Sequence, residues 1–333
     1  MDMQATLRRI EKKQKALLRK QQPSSNLEEW LRVDLTYNSN AIEGNSLTDK
    51  ETAEVLEKGT NAVISGKPLR DQIEAINHAN ALDLVKKLAK AKRSHQEITA
   101  QDLLDIHKFI LTGINDEWAG KYRQTEIFVR GSNTDFPLPD KIPFLMKEFI
   151  KWLRKASVKY PAMIAADAHY KLVTIHPFID GNGRLSRLLM NLVLQIYGYP
   201  LAVIKNSNRI VYMKALATAQ ETNDLTDYYK IVLQAVENSI DLFLNAGTEK
   251  PQKLKDNNKK LLTIGRLAKI AAETTTTIRH WTKTGLLPVR EYTPSGYQLY
   301  SDETLEKIKK IRQFQQQNRL TIKEIKEKLK TVL

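Results

Sequence analysis

The residue types that could do chemistry are concentrated in twelve residues, 176–187. They comprise one imidazole (His176), one carboxylate (Asp180), a Gly-Asn-Gly turn and two arginines (Arg184 and Arg187). Glycines let a backbone approach a ligand closely, and a helix starting beyond them directs free N–H groups at anions. The two arginines are three residues apart, so both would lie on one helix face and could bind phosphate oxygens. The stretch therefore predicts a phosphate site, with a solvated helix connection as the simpler alternative.

Two helices are expected to position these residues. Apolar residues at helical spacing run up to Ile175 and resume at Leu185. Pro177 disfavours the helical conformation at His176, so the first helix should end there and present the imidazole. An imidazole with an ordinary pKa near ~6.5 can accept a proton from a hydroxyl at neutral pH. Asp180 beside a phosphate site is suited to hold Mg²⁺, which takes one or two carboxylates together with phosphate oxygens.

The stretch resembles the signature of the Fic family, His-x-Phe-x-Asp/Glu-Gly-Asn-Gly-Arg-x-x-Arg, and matches every fixed position. The resemblance implies an all-α core and an enzyme that uses ATP and Mg²⁺ to move AMP onto a protein hydroxyl. It implies that His176 is the catalytic base, that Asp180 holds the metal, and that phosphate oxygens are bound by backbone N–H groups of the loop 181–183 and by Asn182. The nucleotide-binding residues are then Asp180, Gly181, Asn182, Gly183, Arg184 and Arg187. Tyr212 joins them as a candidate that could equally be a core aromatic.

A second motif, Ser39-x-x-x-Glu43-Gly44, lies before the core. A carboxylate at a helix C-terminus is unfavourable beside the helix dipole, so Glu43 needs a cationic partner elsewhere. An exposed glutamate before a C-cap glycine is the alternative. The motif resembles the inhibitory motif of the Fic family, which implies that Glu43 pairs with Arg187 and leaves ATP bound unproductively.

Residues 120–130 break the helical pattern. Alternation at Ile127 and Val129, followed by glycine and prolines, predicts a short β-hairpin and loop. The opening, Gly-x-Tyr122-Arg123, resembles the Fic flap, which pairs with an extended segment of the target protein. A simple connecting loop is the alternative.

The end of the chain forms a different module. The net charge of +15 is uneven, since residues 251–333 carry 18 Lys and Arg against 8 Asp and Glu. A basic module favours a nucleic-acid partner. Thr-Ile-Gly-x-Leu-Ala, Thr-Ile-Arg-x-Trp and Gly-Leu-Leu-Pro, within about 262–330, resemble a MerR-type winged helix-turn-helix. The resemblance implies DNA contacts from Thr275, Thr276, Thr277, Arg279, His280, Arg290 and Tyr297. A helical module for protein contacts is the alternative.

Length and composition agree with a chain of several parts. The 333 residues are enough for about two domains. We predict N-terminal helices over 1–60 that include the inhibitory motif 39–44, a catalytic core over 61–245, a linker over 246–261 and the DNA-binding module over 262–333. The predicted fold class is mainly α, with a small β-hairpin flap in the core and a winged helix-turn-helix at the end.

Composition also excludes several classes of protein. The chain has no cysteine, which excludes disulfides, Cys-based metal sites and thiol nucleophiles. No apolar run approaches the ~20 residues that span a bilayer, so we expect no membrane partner and a cytoplasmic location. His169 lacks further ligands at metal spacing, which favours a packed core histidine.

The expected function is transfer of AMP from ATP to a Ser, Thr or Tyr hydroxyl of a target protein or of the chain itself. Two alternatives remain open at this stage. The chain could transfer another phosphate-containing group, or it could be a DNA-binding regulator whose Fic site senses nucleotide. A homodimer through the Fic portion also remains open.

Overall fold

A computed structural model of the chain describes residues 2–19, 25–127, 136–157, 159–246, 261–292, 298–301, 303–317, 324–326 and 328. The chain divides into two compact units, Met1–Lys250 and Pro251–Leu333. Within the described residues, the first unit contains helices and loops without a strand, and the second adds a small sheet to its helices.

Among its described residues, the first unit has ten α-helices. They are α1 (Met3–Leu18), α2 (Ser25–Ile42), α3 (Asp49–Lys58), α4 (Leu69–Ala91), α5 (Ala100–Leu111), α6 (Ile142–Lys155), α7 (Pro161–Ile175), α8 (Asn182–Ile196), α9 (Arg209–Thr222) and α10 (Thr226–Ala246). No helix among the described residues is long and apolar enough to cross a membrane.

Helix α8 forms the centre of this unit. It packs against α7, α4 and α5, and residues all around it are buried. A surface helix would be apolar on one stripe only, so burial on every side marks a core helix. The fully buried apolar side chains that α7 and α8 contribute include Leu172, Leu185, Leu188, Leu189, Leu192 and Val193.

The N-terminal helices are attached to this centre by apolar and charged contacts. Helix α1 packs on α10, where Arg9 donates two hydrogen bonds to Glu237 at 2.6 and 2.8 Å. Helix α2 lies against α4 and α8 and buries Leu31 and Leu35. Its C-terminus therefore lies close to the first turn of α8.

The second unit contains β1 (Leu262–Thr263), α11 (Ile264–Ile270), α12 (Thr275–Lys283), β2 (Glu291–Tyr292), β3 (Gln298–Tyr300) and α13 (Glu303–Gln317). The strands form an antiparallel sheet in the order β1-β3-β2, with Leu262 opposite Tyr300 and Tyr292 opposite Gln298. Thr274 caps α12 by accepting a hydrogen bond from the Thr277 N–H at 3.0 Å. The buried core includes Leu267, Ile278, Trp281, Leu287, Tyr300 and Ile311.

The predicted fold class is confirmed. A helical core is followed by two short helices and a sheet of the winged type, as the resemblance implies. In the expected flap, residues 121–127 form neither helix nor strand, and the rest of the predicted hairpin, including Val129, lies outside the described residues.

Candidate functional site

His176 ends α7 in the left-handed conformation, with φ of 51°. Its Nδ1 lies 3.1 Å from the carbonyl oxygen of Val173. A carbonyl oxygen can only accept, so Nδ1 carries the proton and Nε2 keeps its lone pair. Burial lowers the pKa of His176 to about 4, which corrects the ordinary value expected from sequence. The imidazole is therefore neutral at pH 7 and able to accept a proton through Nε2.

Asn182 fixes the loop that follows. Its side-chain oxygen accepts from the Phe178 N–H at 2.9 Å, and its side-chain nitrogen donates to the Phe178 carbonyl at 2.8 Å. The side chain is buried. The side-chain amide therefore closes the loop on itself, and the role of Asn182 in phosphate binding stays a prediction. Its backbone N–H, in the first turn of α8, still points out of the helix start.

Two glycines are needed for different reasons. Gly181 has φ of 78°, and an added Cβ would lie 3.0 Å from the Ile110 side chain. At Gly183 an added Cβ would lie 2.2 Å from Oε1 of Glu43. A side chain there would collide with the carboxylate, so Glu43 lies directly against the first turn of α8.

Glu43, Ser39 and Arg187 are brought together by α2 and α8. The Arg187 guanidinium donates to Oε1 of Glu43 at 2.7 Å, to the Ser39 hydroxyl at 3.0 Å and to the Ser39 carbonyl at 2.7 Å. The Arg187 side chain is only 2% exposed, whereas that of Glu43 is 38% exposed. Gly44 follows with φ of 101° and ends the turn. Arg187 is thus the cationic partner that Glu43, a carboxylate at a helix C-terminus, requires.

Asp180 is held by arginines from two helices. Its Oδ1 accepts from the Gly181 N–H at 2.5 Å and from Arg184 at 3.0 Å, and its Oδ2 accepts from Arg70 at 3.2 Å. Arg184 is buried and also lies 3.6 Å from Glu74 of α4. No sequence pattern indicates Arg70 or Glu74, because residues 69–91 predict an ordinary core helix.

Asp180 is the carboxylate available for a cation in this loop. Among the residues that the structure describes, no group of three or more His, Asp or Glu side chains could hold a metal ion by itself. A site of this kind suits Mg²⁺ only when substrate phosphates supply further oxygens. The residues fit that type of site, with Asp180 half-exposed beside the start of α8.

Arg123 bonds the base of the expected flap to the loop that begins at His176. Its buried guanidinium donates to the carbonyls of His176 at 2.9 Å, Thr125 at 2.9 Å and Pro137 at 2.5 Å. Tyr122 is half-buried against Phe178, with ring centroids 5.5 Å apart. Ile127 is half-buried too. Hydrogen bonds from Arg123 thus hold the base of the flap against the His176 loop.

Tyr212 lies in the core. Its hydroxyl is 2.7 Å from Nε2 of His169, and the hydroxyl of Tyr228 is 2.9 Å from Nδ1 of the same ring. Burial lowers the pKa of His169 to about 3. His169 is therefore a packed core histidine, and the nucleotide role of Tyr212 stays a prediction.

His107 is a site residue that sequence reasoning missed. Its ring lies 3.0 Å from the carbonyl of Asp180 and 3.0 Å from the backbone nitrogen of Gly120. Burial lowers the pKa of His107 to about 4. Its 73-residue separation from Asp180 leaves no local pattern that sequence could reveal.

The DNA-binding candidates are placed on and after α12. Thr276, Arg279 and His280 are exposed on this helix, and Arg290 is exposed beyond it. Thr275 and Thr277 are half-buried, and the hydroxyl of Thr277 lies 2.8 Å from that of Thr274. Tyr297 lies outside the described residues.

Comparison with known proteins agrees with both modules. The Fic/DOC family model matches residues 97–194, and the model of the MerR HTH family regulatory protein matches residues 262–332. Protein adenylyltransferase Fic from Drosophila grimshawi is 37% identical over 221 residues, which are 66% of this chain and 44% of that protein. The chain thus spans less than half the length of such curated relatives.

Solved structures show the same likeness. Fic-1 from C. elegans superposes with a TM-score of 0.64 at 30% identity, over 73% of this chain and 71% of that one. A Fic domain containing signaling protein from Bacteroides thetaiotaomicron superposes with a TM-score of 0.62 at 27% identity, over 72% of this chain and 97% of that one.

Proposed function

Because the chain belongs to the Fic/DOC family, we propose that it is a protein adenylyltransferase that moves AMP from ATP to a Ser, Thr or Tyr hydroxyl. The target would be another protein or the chain itself. One observation carries the proposal: a neutral imidazole with a free Nε2 stands at the mouth of a glycine loop that opens into the first turn of α8.

In the proposed reaction, Nε2 of His176 takes the proton of the target hydroxyl. The hydroxyl oxygen forms a bond to the α-phosphorus of ATP, and the bond from that phosphorus to the bridging oxygen of the β-phosphate breaks. Pyrophosphate leaves with the electron pair. Catalysis is then mostly positioning and stabilisation of charge, as in other phosphoryl transfers.

The start of α8 supplies the phosphate contacts. Free N–H groups and the helix dipole favour anions there. Arg184 and Arg187 are buried at this end of the helix and can donate to the β- and γ-phosphate oxygens. Asp180 would hold Mg²⁺ together with phosphate oxygens, and the ion would neutralise part of the phosphate charge.

Glu43 would keep this site inactive. Its carboxylate engages Arg187 at 2.7 Å and lies where a Cβ of Gly183 would be, against the first turn of α8. The negative charge of Glu43 would repel a γ-phosphate that approaches Arg187. ATP would then bind without the geometry needed for attack.

The test is incubation with labelled ATP followed by intact mass. We expect little incorporation by the natural chain and clear addition of AMP to itself by the Glu43→Gly variant, because Arg187 is released. Glu28→Gln, an exposed carboxylate of the same helix, should behave like the natural chain. His176→Ala added to Glu43→Gly should bind ATP but transfer nothing.

Three outcomes would contradict the proposal. Addition of phosphate alone would assign a different transferred group. Normal transfer without His176 would remove the base from the mechanism. No rise in Glu43→Gly would remove Glu43 as an inhibitor.

We also propose that the second unit binds DNA. The MerR family match over residues 262–332 and the exposed Arg279, His280 and Arg290 support this role. Polar residues at the start of α12 suit a recognition helix that directs its N-terminal part at base edges. The nucleotide site could then regulate DNA binding, or the two activities could coexist in one chain.

A further inference from the structure

We propose that His107 is a positioning residue that joins the nucleotide loop to the base of the flap, and so couples binding of metal and ATP to binding of the target. The inference rests on the proposed transferase function. His107 itself touches neither nucleotide nor target in this scheme.

Both ring nitrogens of His107 have backbone partners of opposite type. The Gly120 N–H can only donate, so Nδ1 accepts it at 3.0 Å. The Asp180 carbonyl can only accept, so Nε2 donates to it at 3.0 Å. These two partners fix one neutral tautomer, and a charged ring would lose the bond to Gly120.

The ring itself is held rigidly. It is fully buried in α5 and stacks on Phe178, with ring centroids 3.7 Å apart and planes 18° apart. An added Cβ on Gly181 would lie 3.5 Å from this ring. The loop therefore passes within van der Waals contact of the imidazole at Gly181.

Each partner of the ring leads to one half of the site. On one side, the backbone of Asp180 fixes where its carboxylate meets Arg184 and the Gly181 N–H. On the other side, Gly120 opens the segment that contains Arg123, and Arg123 returns to the carbonyl of His176 at 2.9 Å. Hydrogen bonds thus connect the Asp180 backbone to His107, His107 to Gly120, and Arg123 back to the His176 carbonyl. His107 joins the nucleotide loop to the segment that contains Arg123.

The side chains of Gln and Asn can separate the two contacts. Gln carries an N–H donor at about the position of Nε2, so His107→Gln keeps a bond to Asp180 and loses the acceptor for Gly120. Asn carries an oxygen at about the position of Nδ1, so His107→Asn keeps the acceptor for Gly120 and loses the donor to Asp180. His107→Leu loses both bonds.

Two readouts report on the two halves without any transfer reaction. The first is the ratio of ATP dissociation constants with and without Mg²⁺, measured by calorimetry on the full chain. The second is hydrogen–deuterium exchange of the Gly120 amide. Loss of one hydrogen bond of this kind is worth up to about tenfold in an equilibrium constant.

We expect His107→Asn to weaken the Mg²⁺-dependent gain in ATP affinity by up to about tenfold while Gly120 exchange stays near that of the natural chain. His107→Gln should do the reverse, and His107→Leu should change both. The proposal is overturned if His107→Gln and His107→Asn each change both readouts equally, or if each changes neither readout. His107 would then be a general core residue.

The failure of the proposed function would look different. A natural chain that binds no ATP, with or without Mg²⁺, would remove the transferase proposal. Hydrogen–deuterium exchange of the Gly120 amide would still test the hydrogen bond between His107 and Gly120. Retention of the natural unfolding temperature by His107→Gln and His107→Asn would show that the differences do not arise from unfolding.

Discussion

At the scale of single residues, the site depends on how burial sets the state of a few side chains. His176 is neutral because burial lowers its pKa to about 4. Arg187 remains buried because Glu43 and Ser39 meet its guanidinium. Burying an unpaired charge is costly, so each buried cation here has an oxygen partner.

The lowered pKa of His176 predicts a flat pH profile. A base with an ordinary pKa near 6.5 would lose about tenfold of its neutral fraction between pH 7.5 and 5.5. With a pKa of about 4, His176 stays neutral over that whole range and is protonated only as the pH falls through that value. We expect kcat/KM for self-modification by Glu43→Gly to change less than about twofold between pH 7.5 and 5.5, since kcat/KM reports the free enzyme.

A tenfold fall over the same interval would show that His176 titrates normally in the free enzyme. The transfer-inactive variant carrying His176→Ala gives the background rate at each pH. Circular dichroism at each pH would show that the fold persists.

Sequence reasoning could predict the grouping of site residues where they are close together in the chain. The spacing within 176–187 is enough to predict the imidazole, the carboxylate, the turn and both arginines. It could not predict Arg70 or His107, which reach Asp180 across 110 and 73 residues of chain. It also gave no indication that the Asn182 side chain bonds the backbone of Phe178, although asparagine in a turn often binds nearby backbone groups.

At the scale of elements, the end of α2 decides where Glu43 lies. Two arginines from other helices donate to carbonyls in its last turn: Arg187 to Ser39 at 2.7 Å and Arg209, the first residue of α9, to Ile42 at 2.6 Å. Cations at a helix C-terminus stabilise its last carbonyl groups. Helix α9 therefore holds α2 in the position from which Glu43 reaches α8.

This contact predicts that Arg209→Met partly releases Glu43. Loss of a cap costs about 1 kcal/mol, or roughly fivefold in the population of the released state. We expect self-modification to rise a few-fold, well below the rise in Glu43→Gly. Lys214→Met removes an exposed cation from the same helix and should leave the rate unchanged. Equal rates in the natural chain, Arg209→Met and Lys214→Met would show that α9 does not hold the helix that carries Glu43.

The presence of helices was easier to predict from sequence than the backbone conformation at their ends. Pro177 correctly indicated that α7 ends at His176, but the left-handed backbone there follows from the packing of the whole loop. Thr99 caps α5 in a capping box with Asp102, a local pattern that sequence carries in full. The approach of α2 to α8 is a tertiary contact, and only the family resemblance anticipated it.

At the scale of the whole molecule, the two units carry different chemistry. The proposed anion site lies in the first unit, while most of the excess positive charge lies in residues 251–333. The proposed transfer and DNA binding should therefore respond to different substitutions.

We expect Arg279→Ala to weaken DNA binding and leave self-modification of Glu43→Gly unchanged. If Arg279 meets a phosphate, the slope of log affinity against log salt should fall by about 1. The measurement is a fluorescence titration of the duplex upstream of the chain's own coding sequence, with a random duplex for comparison. Lys309→Ala on α13 removes an exposed cation outside α12 and is the matched control. Equal affinities for the two variants would contradict a recognition role for α12.

The contact between Glu43 and Arg187 has a consequence for the proposed inhibition. The guanidinium is paired with an anion when no nucleotide is bound. Activation would then be an exchange of anions, in which a γ-phosphate replaces the carboxylate at Arg187. Such an exchange would cost little desolvation, because the buried cation would keep a negative partner throughout.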